Sequence, residues 1–247
     1  MAENMTLFWG SGSAPCWRVM IALEEKNLQG YKQKLLSFEK LEHKSPDVLA
    51  VNPRGQLPSF KHGDNILNES YAACFYLENQ FKSQGSKLIP DGPAEQAIMY
   101  QRMFEGLTFY DKLGAVIYHE YYVPEGERLA SAIKRNCQNL ITELQLWEGY
   151  LDKVSMMETQ NTPKEIFYFS VKHALQTGSH LVGSSFTLAD VMVFPTVANL
   201  YRFGLSPERY PKLAAYYALL KDRPSIKASW PPHWLEYPKG QDTLKDI

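Results

Sequence analysis

Cysteine is scarce in this chain. Cys16, Cys74 and Cys137 are odd in number and widely spaced. That excludes a disulfide framework and a zinc site of paired cysteines, and it fits a reducing, cytoplasmic compartment. No apolar run approaches the ~18 residues that a bilayer-spanning helix needs, so no membrane contact is expected. The opening MAENMTLFWG carries an acidic residue and only a short apolar run, unlike a secretory signal. The formal sequons at Asn4 and Asn68 are then accidental. Charge of one sign is not in excess either: 26 Lys and Arg stand against 27 Asp and Glu, a net −1. With no basic stripe or arginine-rich arm, a nucleic-acid binder is excluded. Internal repeats and low-complexity tracts are also missing.

What is present is core material. Of 247 residues, 45% are hydrophobic and 13% aromatic, enough for one large domain or two small ones. The first 82 residues change period repeatedly. MTLFW (5–9) reads as a strand, and PCWRVMIALEEKNL (15–28) as a helix stopped by Gly30. YKQKLLSF (31–38) reads as a second strand, and SPDVLAV (45–51) as a short helix capped by Ser45 with Pro46 at its first position. LPSFKHGDNILNES (57–70) reads as a hairpin around Gly63-Asp64, and ESYAACFYLENQF (69–81) as another helix. The order β-α-β-α-β-β-α describes a compact α/β unit.

SQGSKLIPDGP (83–93) is a linker, rich in Gly and Pro. From Ala94 to the end no strand is expected. Two long helical stretches, 94–122 and 127–154, precede shorter ones at 163–177, 187–203 and 210–222 and a proline-rich tail. The segment SFTLADVMVF (185–194) contains a capping box, Thr187 with Asp190, and a hydrophobic staple, Phe186 with Val191. It should open the buried central helix of an all-helical domain, a structural role.

Two stretches carry chemistry. GSAPCW (12–17) puts a serine and a cysteine three apart at a helix mouth. NPRGQLPSF (52–60) puts a proline at the start of a strand, where a cis bond commonly turns the backbone of such a unit toward its site. The amide and carbonyl of Leu57 would then be free to pair with an extended, peptide-like ligand.

Together, GSAPCWRV, NPRGQLPSF, NES (68–70) and FTLAD, in this order and spacing, resemble the cytosolic glutathione transferases over essentially the whole chain. The serine-type theta, zeta and delta classes are similar at the N-terminus, and the rho class is most similar overall. The resemblance implies a thioredoxin-like glutathione-binding domain (1–82), a linker (83–93) and an all-α domain with the electrophile pocket (94–247). It implies glutathione as co-substrate, no metal, small hydrophobic electrophiles and a homodimer. The activity it implies is conjugation in detoxification, with peroxidase chemistry toward organic hydroperoxides as a side activity.

Thioredoxin-like redox enzymes begin this helix with Cys-x-x-Cys. Here the quartet is Ser13-Ala14-Pro15-Cys16, so the attacking position holds no thiol and Cys16 reads as a buried small hydrophobe. By resemblance Ser13 donates a hydrogen bond to the glutathione sulfur, with Ser11 as its rival in the same turn. Glu69 and Ser70 suit the γ-glutamyl group, Gln56, Leu57 and Pro58 the middle of the tripeptide, and His43, Lys44 or Arg54 the glycyl carboxylate. The delta class has histidine where this chain has Gly55, so part of that subsite is built differently. Met103, Phe104, Leu107, Tyr110, Tyr118, Trp230 and Trp234 are the candidate electrophile lining, between the domains. Two alternatives stand beside this reading: a glutathione-dependent thiol oxidoreductase, and a catalytically silent structural relative.

Overall fold

The computed structural model describes residues 2–160 and 179–247, the side chains of 153–160 excepted. The expected helix at 163–177 lies outside the described residues. The chain divides into two compact units, Met1–Ile89 with Arg223–Pro238, and Pro90–Asp222 with Lys239–Ile247.

The first unit is thioredoxin-like. Strand β1 (Met5–Trp9) is central and almost wholly buried. It pairs in parallel with β2 (Lys32–Leu35) and antiparallel with β3 (Ser59–His62), which turns through Gly63 into β4 (Asn65–Leu67). The sheet order is β2-β1-β3-β4. Helix α1 (Ala14–Glu25) ends before the expected Leu28, because the chain turns at Asn27 with φ +51. Ser45 does precede α2 (Pro46–Val51), but its side chain makes no capping bond. Helix α3 (Ser70–Gln80) packs against α1. Beneath them Lys26, fully buried, pairs with Glu78, and its Nζ donates to the Ser86 carbonyl at 2.7 Å. A buried lysine is tolerated only when paired and hydrogen-bonded in this way.

The second unit is helical, with no strand among the described residues. The first long stretch breaks at Tyr118 into α4 (Pro93–Ile117) and α5 (His119–Tyr122). Helix α6 (Ala130–Gln160) packs on α4. Helix α7 (Leu188–Arg202) is buried at every residue from Leu188 to Leu200 and packs along α4, as a central helix must. Asp190 holds its start: Oδ2 accepts from the Thr187 amide at 2.8 Å and from the Thr187 hydroxyl at 3.1 Å, while Oδ1 accepts from the Leu181 amide at 3.0 Å. Helix α8 (Pro211–Leu220) follows, and its Tyr216 hydroxyl donates to Asp190 at 3.2 Å. The tail forms two short helices in the first unit, α9 (Pro224–Ala228) and α10 (Pro232–Glu236).

Candidate functional site

The turn from Gly10 to Ser13 leads from β1 into α1. Ser13 is the N-cap, in extended backbone, and its Oγ accepts from the Cys16 amide at 3.4 Å. An N-cap oxygen that accepts in this way keeps its own proton to donate outward. Cys16 is 1% exposed, receives the Gly10 amide on Sγ at 3.4 Å, and its thiol is pushed up to about 11 by burial. At neutral pH it is a protonated core residue and no nucleophile.

Ser11 faces the tail. Its Oγ lies 2.5 Å from His233 Nδ1, on α10. Gly12 between the two serines has φ +79, and a Cβ there would lie 2.6 Å from His233 Cε1. Only glycine lets the turn accept the imidazole. Around this contact, Trp17 of α1 meets Trp230 at 5.0 Å and Trp234 at 5.5 Å, both edge-on, and Trp17 Nε1 donates to Ser229 Oγ at 2.9 Å.

The Leu57–Pro58 bond is cis, as its place in the sequence suggests. Among the described residues no backbone group bonds the Leu57 amide or carbonyl. Leu57 and Pro58 are buried, and Gln56 is exposed. Asn52 braces this loop: Nδ2 donates to the Gln56 carbonyl at 2.8 Å and Oδ1 accepts from the Arg54 amide at 3.1 Å.

Glu69 precedes α3 but does not cap it; its carboxylate accepts from Arg54 Nη1 at 2.7 Å, in an exposed pair. Ser70 is buried and accepts from Arg18 Nη1 at 3.4 Å. The Arg54 side chain therefore stands with Glu69 rather than with His43 and Lys44. Lys44 Nζ donates to the Arg54 carbonyl at 3.1 Å. His43 packs 5.2 Å from the Phe38 ring, and burial and the Lys44 charge hold its imidazole below the usual histidine range. Gly55 has φ +57, and a Cβ there would lie 2.8 Å from Lys44 Cδ and 3.2 Å from the His43 carbonyl oxygen, so a histidine at this position would strain the backbone and displace the lysine.

Ser11, Ser13, His43, Lys44, Arg54, Gln56, Leu57, Pro58, Glu69, Ser70, Trp230 and Trp234 all belong to the first compact unit. Met103, Phe104, Leu107, Tyr110 and Tyr118 belong to the second. Met103 is fully buried, whereas Phe104 is 60% and Leu107 40% exposed. Tyr118 caps α4, with Phe203 6.4 Å from its ring, and burial pushes its phenol well up. Among the described residues no group of His, Cys, Asp and Glu could hold a metal ion, and no helix is long and apolar enough to cross a membrane.

Sequence reasoning missed two residues. Arg18 is 2% exposed and lies over the Tyr71 ring at 5.1 Å; an arginine inside the apolar pattern of 15–28 was its signal. His233 stands between the two tryptophans already singled out, with no local pattern to join it to Ser11.

Comparison with known proteins identifies the family. Residues 3–79 match the family model "Glutathione S-transferase, N-terminal domain" and residues 147–230 "Glutathione S-transferase, C-terminal domain". The chain is 65% identical over 247 residues to Glutathione S-transferase A of Pleuronectes platessa, covering 100% of both. It is 34% identical to a solved glutathione S-transferase from the Antarctic clam Laternula elliptica, with a TM-score of 0.78 over 99% of each chain. With both halves matched and a full-length relative this similar, the chain belongs to the glutathione S-transferase family.

Proposed function

We propose that the protein is a glutathione transferase in which Ser13 donates a hydrogen bond to the sulfur of glutathione and holds it as the thiolate. The observation that carries this is the N-cap geometry: Ser13 Oγ accepts from the Cys16 amide, leaving its proton to point out of the helix mouth. The magnitudes suffice. Ionising most of a thiol with a reference pKa of about 8.5 at pH 7 takes a shift of about 2 units, roughly 2.7 kcal/mol. A hydrogen bond to a charged group contributes about 1.5–3 kcal/mol, and a helix N-terminus about 0.3–1 kcal/mol.

The remaining assignments follow the same unit. Glu69 takes the γ-glutamyl ammonium, a role supported by a carboxylate that caps nothing, and Ser70 takes its carboxylate at the start of α3. The Leu57 backbone and Gln56 hold the middle of the tripeptide, and His43 with Lys44 the glycyl carboxylate. Small hydrophobic electrophiles are the second substrate, and Met103, Phe104, Leu107, Tyr110, Tyr118, Trp230 and Trp234 are the side chains proposed to contact them. The 1–82 segment binds glutathione, 83–93 is the linker, 94–247 carries the electrophile pocket, and the active form is a cytoplasmic homodimer. A thiol oxidoreductase would need a reactive cysteine here, and the buried, protonated Cys16 speaks against it.

The test is the ultraviolet thiolate absorbance of bound glutathione, titrated against pH. Ser13→Ala should raise the bound thiol's pKa by a unit or more and Ser11→Ala by less. Loss of glutathione binding in the wild type, or an unchanged pKa in Ser13→Ala, overturns the reading.

A further inference from the structure

We propose that His233 takes up the proton of the glutathione thiol through the Ser11 hydroxyl. It touches no substrate atom and acts behind Ser11, as a positioning residue that also receives the proton Ser11 gives up. The proposal rests on the reading above, that the sulfur sits at the mouth of α1.

Three observations lead to it. First, the tail that carries His233 is fixed within the first unit and does not rest on one contact. Arg223 and Ser225 bind Glu25, Ser229 binds Trp17, and Trp230 and Trp234 flank the Trp17 ring. Second, the imidazole is aimed at the activating turn: Nδ1 lies 2.5 Å from Ser11 Oγ, and Gly12 gives up a side chain where a Cβ would meet the ring. Third, the turn needs an acceptor that Ser13 cannot supply. The Ser13 oxygen accepts from the Cys16 amide and its proton goes toward sulfur, which stabilises a thiolate but removes no proton.

An imidazole nitrogen at hydrogen-bond distance from a hydroxyl is the side-chain group suited to that task, since histidine is the residue type whose charge change ordinarily falls near neutral pH. Ser11 and Ser13 are two residues apart, at most about 7 Å between Cα atoms, so one sulfur can meet both hydroxyls. In the step, the S–H bond of glutathione breaks and its proton passes to Ser11 Oγ. The proton already on Ser11 passes to His233 Nδ1. The products are a thiolate held by Ser13, an intact Ser11 hydroxyl and an imidazolium, with no change in total charge. The pairing of serine with histidine is that of an activated nucleophile, except that the serine relays the proton and a sulfur is activated. The imidazolium resets by releasing its proton to water once the electrophile has consumed the thiolate.

The experiment counts protons. Glutathione is added at pH 7 to the full-length protein in buffers of differing ionisation enthalpy, with calorimetry reading proton release and absorbance reading thiolate. S-methylglutathione, which has no thiol proton, sets the baseline. In the wild type, thiolate formed should exceed protons released, the difference being the protons held on His233. His233→Gln, which keeps a side chain able to bond Ser11 but unable to take a proton, should remove that excess, as should Ser11→Ala. Each variant's S-methylglutathione affinity and melting temperature show whether it is folded. One proton released per thiolate in the wild type overturns the proposal, as does an excess that survives in His233→Gln. Failure of the Ser13 reading looks different: no thiolate forms, or Ser13→Ala leaves its pKa unchanged.

Discussion

Glu25, near the end of the first helix, grips Arg223 across 198 residues of sequence: Nε lies 2.6 Å from Oε1 and Nη2 2.9 Å from Oε2. The Ser225 hydroxyl donates to the same carboxylate. A two-pronged arginine contact of this kind is geometrically selective, and Glu25 is only 6% exposed, so solvent screens it little. The contact holds α9, and with it the tail, in the first compact unit.

Glu25→Ala removes the carboxylate that Arg223 and Ser225 share and should cost about 1.5–3 kcal/mol in denaturant unfolding, the usual range for hydrogen bonds to a charged group. The pH dependence has a definite sign. Burial pushes the Glu25 carboxyl up, but the hydrogen bonds from Arg223 and Ser225 outweigh it and hold the pKa below the ordinary 4.5. A depressed carboxylate stabilises the fold fully above that value, and the contribution fades as pH falls through the folded pKa. The stability gap between wild type and Glu25→Gln should therefore be flat near neutrality and narrow below about pH 4.5. A gap that widens with acid would remove the ion pair from this account.

The three cysteines should differ sharply toward a thiol reagent. Burial pushes Cys16 up to about 11 and Cys74 up to about 12, whereas Cys137 is only partly buried. Mass spectrometry of the native protein, treated with iodoacetamide at pH 8, should find Cys137 modified first and Cys16 only on unfolding. Cys16→Ala should leave glutathione thiolate formation intact and cost about 1 kcal/mol of stability, the ordinary effect of a small core deletion. Loss of thiolate formation in that variant would return Cys16 to the chemistry.

Much of this was legible because it is local. The strand MTLFW, the hairpin around Gly63, the cis bond before Pro58 and the Thr187–Asp190 box are each set by neighbours within a few residues. The turn at Asn27, the break at Tyr118 and the short β2 were less so, since tertiary packing decides where an element stops. What the pattern could not carry was pairing at long range. Nothing in SWPPHWLEYPKG says that its histidine meets Ser11, and nothing near Glu25 says that Arg223 completes it. The serine turn at the mouth of α1 was therefore readable from the sequence, and the contact that α10 makes with it was not.

Asp190 is the strongest case for a residue whose role is structural alone. It receives bonds from the Leu181 and Thr187 amides and the Thr187 and Tyr216 hydroxyls. Asp190→Ala leaves those donors buried without an acceptor. The expected loss is about 3–5 kcal/mol, against about 1 kcal/mol for Tyr216→Phe, which removes a single bond. Both are read by chemical denaturation, and equal losses would mean that the cap contributes little.

Two glycines separate backbone strain from contact at the candidate site. Gly30 has φ +82 with nothing within 4 Å of a Cβ, and Gly12 has φ +79 with His233 Cε1 2.6 Å from one. Alanine at Gly30 meets only the left-handed backbone penalty, about 1–2 kcal/mol of stability, and should leave turnover unchanged. Alanine at Gly12 meets the same penalty and also displaces the imidazole from Ser11 and shifts the serine turn. Its kcat/KM with a small aromatic electrophile should fall by about tenfold to a hundredfold, the range in which misplacing a reacting group by ~1 Å acts. If Gly12→Ala loses only as much as Gly30→Ala in both stability and rate, the contact between turn and tail has no part in catalysis.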